Sequence, residues 1–283
     1  MSEILRFRAE GDFGEIKIKE YLINKLGFST SLITKVKEGG VFINGTAVHM
    51  RAPVREYDEI TVILPCEESS AITPLPIPLE ILYEDDFIFA VNKPCGMPTH
   101  PCRGNSLPTL AEAVMSYFGE GFVFRAISRL DKDTSGIVLI AKNAYSAAIL
   151  GRAMKNGEIE KEYTALAFGI TEPHGIIEAP IERISPDSIK RGVVDGGKYA
   201  KTEYQRLAVT EDGNSVVRLR LHTGRTHQIR VHMAYIGHPL INDSLYTDAK
   251  ALGSYKLHCN RVSFDFIGKG RITITKNADF YKD

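Results

Sequence analysis

The sequence predicts an α+β fold in two domains, and three observations carry that expectation. Residues 1–65 hold two stretches of helical spacing followed by a hairpin signal, and residues 66–78 mix acids, serines and alternating prolines. Beyond them, stretches that read as strands outnumber those that read as helices. A length of 283 residues suits a small module, a linker and a catalytic domain of about 200 residues running over 79–283.

Composition narrows the class. With 43% hydrophobic and 25% charged residues the chain has enough apolar mass for a real core and little of the signature of disorder. No apolar run approaches the roughly 20 residues of a membrane span, and the opening Met-Ser-Glu-Ile-Leu-Arg has no signal-peptide core. The expectation is a cytoplasmic protein without membrane contact. Four cysteines at irregular spacing read as free thiols. Basic and acidic residues balance at 35 each, and nine of each sign fall in residues 1–65, so net charge gives no general signal for nucleic acid. Local clustering does: residues 215–233 carry Arg218, Arg220, Arg225 and Arg230 with three histidines and no acid.

Taken in order, Ile16, Ile18, Tyr21, Leu22 and Leu26 form a helical stripe stopped at Gly27. Ser29 is placed to cap a second helix carrying Leu32, Ile33 and Val36, which Gly39-Gly40 ends. Two short apolar runs flank Asn44-Gly45, the strongest short hairpin signal, and residues 59–64 add a strand. The prolines of 66–78 fix φ and remove donors, which makes an extended linker. Residues 80–94 read as strand, acidic turn and strand, stopped by Pro94, and residues 107–118 have helical spacing.

Next comes Arg129-Leu130-Asp131-Lys132-Asp133-Thr134-Ser135-Gly136, a charged turn feeding the apolar strand 137–141. A carboxylate at the head of a buried strand has a fixed backbone and a solvent-reaching side chain, so Asp131 is the candidate for chemistry. Asp133 is the competing carboxylate and reads as holding the turn or facing solvent. Residues 145–154 form a helix, and residues 160–167 change to period two, with Tyr163, Ala165 and Ala167 on one face. The glycine-rich basic stretch 186–201 is either a phosphate contact or a solvated hairpin loop.

In residues 217–222 the leucines face a core while Arg218, Arg220 and His222 face the other way. Thr226 is placed to cap a helix over 227–236, on which Arg230 points inward. Two more strands close the chain. Cys95, His100 and Cys102 match no metal-ligand spacing, and His227 and His232, five apart, do not stack on one helical face. No Walker loop, Rossmann fingerprint or zinc triad is present, so no nucleotide, metal or organic cofactor is expected.

Several of these stretches resemble signatures of the RluA-type pseudouridine synthases. Residues 129–136 are similar to His-Arg-Leu-Asp followed by Thr-Ser/Thr-Gly, with Ser128 in place of the histidine. Asn92-Lys93-Pro94 resembles the end of the family's first hairpin, and residues 161–165 resemble Lys-x-Tyr-x-Ala. Residues 223–232 resemble Thr-Gly-Arg-x-His-Gln-Ile-Arg-x-His almost throughout. Residues 238–246 resemble His-Pro-Leu-x-Gly-Asp-x-x-Tyr, with Asn242 for the first glycine of that pattern and Thr247 for the one that follows it. Residues 29–45 resemble an S4-like RNA-binding domain, with Thr30 where that family usually has arginine.

The resemblance implies a catalytic domain with a mixed, largely antiparallel sheet and flanking helices behind an S4-like module. It implies an intramolecular isomerase converting uridine in structured RNA, rRNA or tRNA, to pseudouridine. Asp131 would be the catalytic carboxylate, as nucleophile at C1′ or as base toward the ribose; Tyr163 would lie against the base and Arg230 would pair with Asp131. Arg129, Lys161, Arg225, His227 and Lys37 are the implied RNA contacts. A monomer is expected. The alternative reading, a catalytically impaired RNA-binding or ribosome-assembly protein that keeps the fold, stays open at this point. A glycosidase would need a second carboxylate flanking the bond.

Overall fold

Local signals set the first elements. The computed structural model describes residues 3–67, 72–102, 106–247 and 253–281. Its N-terminal part contains β1 (Glu3–Arg8), β2 (Ile16–Lys17), α1 (Ile18–Asn24), α2 (Thr30–Val36), β3 (Val41–Ile43), β4 (Thr46–Ala47), β5 (Pro53–Val54) and β6 (Glu59–Leu64). The Ser29 side chain accepts a hydrogen bond from the Leu32 amide at 3.1 Å, which caps α2 as expected. Asn44 and Gly45 both have positive φ, 49° and 79°, the requirement of a tight two-residue hairpin turn.

Two differences from the sequence reading appear here. The first helix starts at Ile18 because Ile16 and Lys17 are drawn into a pairing with Val54 and Pro53. Residues 3–8, unassigned from sequence, form an edge strand that runs antiparallel to β6. Only Leu5 on that strand is buried, so the alternation that marks a strand is faint.

The second part contains β7 (Glu80–Glu84), β8 (Ile88–Lys93), α3 (Leu110–Phe118), β9 (Arg125–Ala126), β10 (Ser135–Ala141), α4 (Ala144–Asn156) and β11 (Glu160–Ala167). It continues with β12 (His174–Glu178), β13 (Ile181–Arg183), β14 (Arg191–Val193), β15 (Lys201–Val209), β16 (Ser215–Leu221), α5 (Gln228–Tyr235), β17 (Leu257–Phe266) and β18 (Gly270–Thr275). Ten of these strands form one sheet, with main order β12-β15-β16-β11-β17-β10-β8-β7, β18 on β17 and β9 on β10. All its pairings are antiparallel except β10 with β17, which is the mixed, largely antiparallel sheet that was expected.

Strand β10 lies inside this sheet. Residues Ile137 to Ala141 have 0% exposure, and each of the four larger side chains contributes about 1.5–3 kcal/mol by burial. That anchorage fixes the turn at the strand's N-terminal end. Capping boxes at Thr109 and Asn143 start α3 and α4.

The N-terminal part packs on α4. Phe7 and Phe28 lie 5.5 and 4.6 Å from the ring of Tyr145 on α4. The Tyr145 hydroxyl donates to the Leu26 carbonyl at 2.7 Å, and Arg152 donates to the Gly27 carbonyl at 3.1 Å. Among the described residues, no helix is long and apolar enough to cross a membrane.

Candidate active site

The turn that carries Asp131 is held from beneath by groups the sequence reading gave no role. The Thr134 amide closes it on the Asp131 carbonyl at 3.1 Å. Lys93, fully buried at the end of β8, donates from Nζ to the carbonyls of Pro94 at 3.0 Å, Met97 at 2.6 Å and Lys132 at 3.0 Å. Burial pushes the Lys93 ammonium down to about 8, against the opposing pull of Cys95, Asp133 and Asp131. The Thr99 hydroxyl donates to the Leu130 carbonyl at 2.9 Å, and the Cys95 thiol donates to the Asp133 carbonyl at 3.2 Å.

Gly136 ends the turn with φ of +111°, where β10 meets β17 in parallel. A Cβ there would run into the backbone of Cys259, so close approach and backbone conformation both demand glycine. Ser135 bonds His258 Nδ1 at 2.8 Å, and His258 Nε2 faces the Lys276 carbonyl at 3.0 Å. A carbonyl only accepts, so His258 carries its proton on Nε2 and Ser135 donates.

Asp131 is about a third exposed and faces two basic side chains. Arg230 Nη1 lies 3.6 Å and His227 Nε2 lies 3.7 Å from its Oδ2. Arg230 is buried on α5, as expected, but its tightest partner is Asp243. Nε donates to Asp243 Oδ2 at 2.7 Å and Nη2 to Oδ1 at 2.8 Å, a bidentate pair with a fully buried carboxylate. Burial works against the guanidinium charge, but the Asp243 hydrogen bonds together with the charges of Tyr255, Asp243 and Asp131 outweigh it, so the group is held above its ordinary value.

The Tyr255 ring lies 4.4 Å from the guanidinium carbon and the Tyr246 ring 5.0 Å, which clamps Arg230 between two faces. Asp243 follows Asn242, whose φ of +66° uses asparagine's tolerance of the left-handed region in place of glycine.

Helix α5 starts differently from the expected Thr226 cap. His227 is the N-cap and sits in the left-handed region at φ 58°, with no side-chain cap hydrogen bond. Gln228 closes the turn instead, accepting from the Arg225 amide at 2.9 Å and the Thr223 hydroxyl at 2.8 Å. Freed from capping, the His227 ring reaches the Tyr246 hydroxyl with Nδ1 at 2.9 Å. Burial pushes His227 below its ordinary value, and the Arg230 charge adds to this while Asp131 opposes it.

Tyr163 is buried at 5% exposure, opposite Cys259 in the β11–β17 register, and burial first, then Cys259, raises it well above an ordinary phenol. Lys161 on the same strand is half-buried, and burial lowers it. Arg129 is exposed beside Asp131 in sequence, while Arg225 donates from Nε to the Tyr199 carbonyl at 2.9 Å. Lys37 is elsewhere, on an N-terminal groove of about 520 Å³ that Lys19, Thr30 and His49 also line. The fold thus gathers Asp131, Arg230 and His227, and sets Lys37 apart. Ser128 is buried, at 7% exposure.

Comparison with known proteins identifies the family. Residues 87–235 match the family model described as RNA pseudouridylate synthase. An uncharacterized RNA pseudouridine synthase of Bacillus subtilis strain 168, YjbO, is 37% identical over 255 residues, covering 87% of this chain and 89% of its own. The chain belongs to the RNA pseudouridylate synthase family.

Other members bear on this synthase as well. Ribosomal large subunit pseudouridine synthase D of Xylella fastidiosa strain Temecula1 is 38% identical over 224 residues, covering 77% of this chain and 67% of its own. The solved structure of human RNA pseudouridylate synthase domain containing 1 aligns with a TM-score of 0.62 at 26% identity, covering 76% of this chain and 88% of that one. This synthase is therefore an RNA uridine-to-pseudouridine isomerase. Asp243, Tyr246 and Tyr255 are the site residues that sequence reasoning passed over. The only signal for Asp243 was its place in the segment resembling His-Pro-Leu-x-Gly-Asp.

Proposed function

We propose that this synthase isomerises specific uridines in structured rRNA or tRNA with Asp131 as its catalytic carboxylate. The observation that carries the reading is the placement of Asp131 on an anchored turn, 3.6 Å from a buried arginine whose charge is locked by Asp243. Both routes at the ribose use a carboxylate beside C1′, and the buried guanidinium 3.6 Å away is its counter-charge.

The target uridine is extruded from its stack before its glycosidic bond is broken. Tyr163 supplies an apolar face for the base, and Arg129, Lys161 and Arg225 lie on the surrounding strands and turns as cations toward the RNA. Residues 1–65 are read as an S4-like module, with Lys37 on its groove as a phosphate contact, and residues 66–78 as the linker to the catalytic domain over 79–283. Relatives named ribosomal large subunit pseudouridine synthase D favour rRNA as the substrate class.

The test is expression in cells lacking the protein, with pseudouridine mapped in rRNA and tRNA beside an Asp131→Asn variant. A uridine modified by the wild type and left unmodified by the variant is the expected result. A fully active Asp131→Asn protein would sink the assignment of Asp131, and no wild-type target in either RNA class would sink the substrate reading.

A further inference from the structure

The isomerisation includes the loss of a proton from carbon. When C5 of the freed uracil bonds to C1′, that carbon carries both its hydrogen and the sugar. The C5–H bond then breaks, its electron pair forms the C5=C6 double bond, the C6=N1 double bond shifts onto N1, and N1 takes up a proton. One proton leaves carbon and one arrives at nitrogen, so no outside acid or base is consumed. A basic side chain close to C1′ has to receive the first of these protons.

The site offers few candidates. Beside Asp131, which is assigned to the sugar, Arg230 and His227 are the basic groups at 3.6 and 3.7 Å. Arginine keeps its proton. Tyr163 and Tyr255, pushed up by burial, keep theirs at neutral pH. His227 remains.

Two features of its geometry point the same way. A histidine at φ 58° is held in a sparsely populated backbone region, which native structures keep where surrounding contacts over-determine it and often where function uses it. The ring is also anchored at one end, with Nδ1 2.9 Å from the Tyr246 hydroxyl, and that oxygen in turn accepts the Arg191 amide at 3.0 Å. Nε2 faces Asp131 at 3.7 Å, longer than a hydrogen bond, and in the tautomer that carries the proton on Nδ1 it presents a lone pair. Only 15% of the side chain is exposed.

We propose that His227 is a further catalytic residue of this synthase: with Nδ1–H held on Tyr246, its Nε2 accepts the proton released from C5, and Asp131 balances the imidazolium that forms. This rests on the reading of Asp131 as the catalytic carboxylate. The other charged groups facing the ring are Arg230 and Asp243 behind it and Arg191 on β14.

The test uses the full chain and RNA containing its mapped target, transcribed with either ordinary or 5-deuterated uridine. Single-turnover rates are compared for wild type, His227→Asn and His227→Gln. Asparagine tolerates the left-handed backbone, so His227→Asn keeps the start of α5 while removing the base. The expected result is a rate loss of about 10²–10⁴-fold, the usual weight of a positioned proton acceptor. Any change in RNA affinity should be far smaller than the rate loss, and a primary isotope effect should appear in the variants that is smaller or absent in wild type. Wild-type rates in both variants, a loss carried wholly by weaker RNA binding, or a loss without any isotope effect would each overturn the proposal. An Asp131→Asn arm separates the two ideas: full activity there defeats the reading of Asp131, whatever the isotope data say of His227.

Discussion

Arg230 holds Asp243 with two hydrogen bonds, of 2.7 and 2.8 Å, and keeps its third nitrogen 3.6 Å from Asp131. One guanidinium therefore does two jobs: it is fixed by a carboxylate that never meets solvent, and it faces one that does. Asp243→Asn removes the fixing charge and leaves a buried cation with a weaker partner. Breaking a buried pair by removing one member costs about 3–5 kcal/mol, with the amide at the lower end because it still accepts one hydrogen bond. Denaturant unfolding measures the loss, and turnover should fall with it because Arg230 is no longer aimed. An Asp243→Asn protein of wild-type stability and rate would contradict this account.

Gly136→Ala is expected to be severe. The new Cβ meets the Cys259 backbone, and the residue sits at φ +111°, where alanine is strained by about 1–3 kcal/mol before any collision. Relief requires β10 and β17 to separate, which moves the turn bearing Asp131. Thermal unfolding should shift downward and activity should fall more than stability alone explains. Gly119, half-buried at positive φ with its Cβ position open, is the control for backbone strain without a clash.

Lys93 makes stability depend on alkaline pH in a defined direction. Its folded-state value is lowered to about 8, while an unfolded lysine keeps its proton to about 10.4. Between those values the unfolded chain binds more protons, so the Lys93 contribution makes the protein more stable as pH rises through that window. Below pH 8 the cost of burying the ammonium is fully present. Stability measured against pH for wild type and for Lys93→Met, then subtracted, isolates this slope; a flat or falling difference would refute it.

Tyr163 separates a ring from a hydroxyl. If its role is to present a face to the base, Tyr163→Phe keeps most activity and Tyr163→Ala loses stacking of about 1–3 kcal/mol together with core packing. An inactive Tyr163→Phe protein that still folds and binds RNA would instead place the chemistry on the phenol, now buried against Cys259. Steady-state rates with RNA binding measured in parallel decide between them.

Much of the fold is legible in the sequence. The Ser29 cap, the Asn44-Gly45 turn, the paired strands on either side of residues 85–87 and the apolar strand after Asp131 all follow from signals a few residues long. Edge strand β1 escapes a sequence reading because four of its six positions face solvent and its partner lies more than fifty residues away in the chain. The start of α5 was misjudged because a threonine at the right offset is a generic cap signal. Contacts of His227 with Tyr246, and of Gln228 with the preceding turn, override it.

The sequence by itself determined most of the elements and the family, and singled out the turn of Asp131 as the candidate for chemistry, because periodicity, caps and contiguous motifs are local properties of the chain. Only the tertiary structure decided how the charges are shared. Arg230 stands about a hundred residues from Asp131 and thirteen from Asp243, and nothing in that spacing ranks one carboxylate over the other. Burial ranks them. Asp243 lies in the core, where an unpaired charge is costly and the pair must close, whereas Asp131 is left partly open to solvent, where a longer contact suffices and a substrate has room to enter.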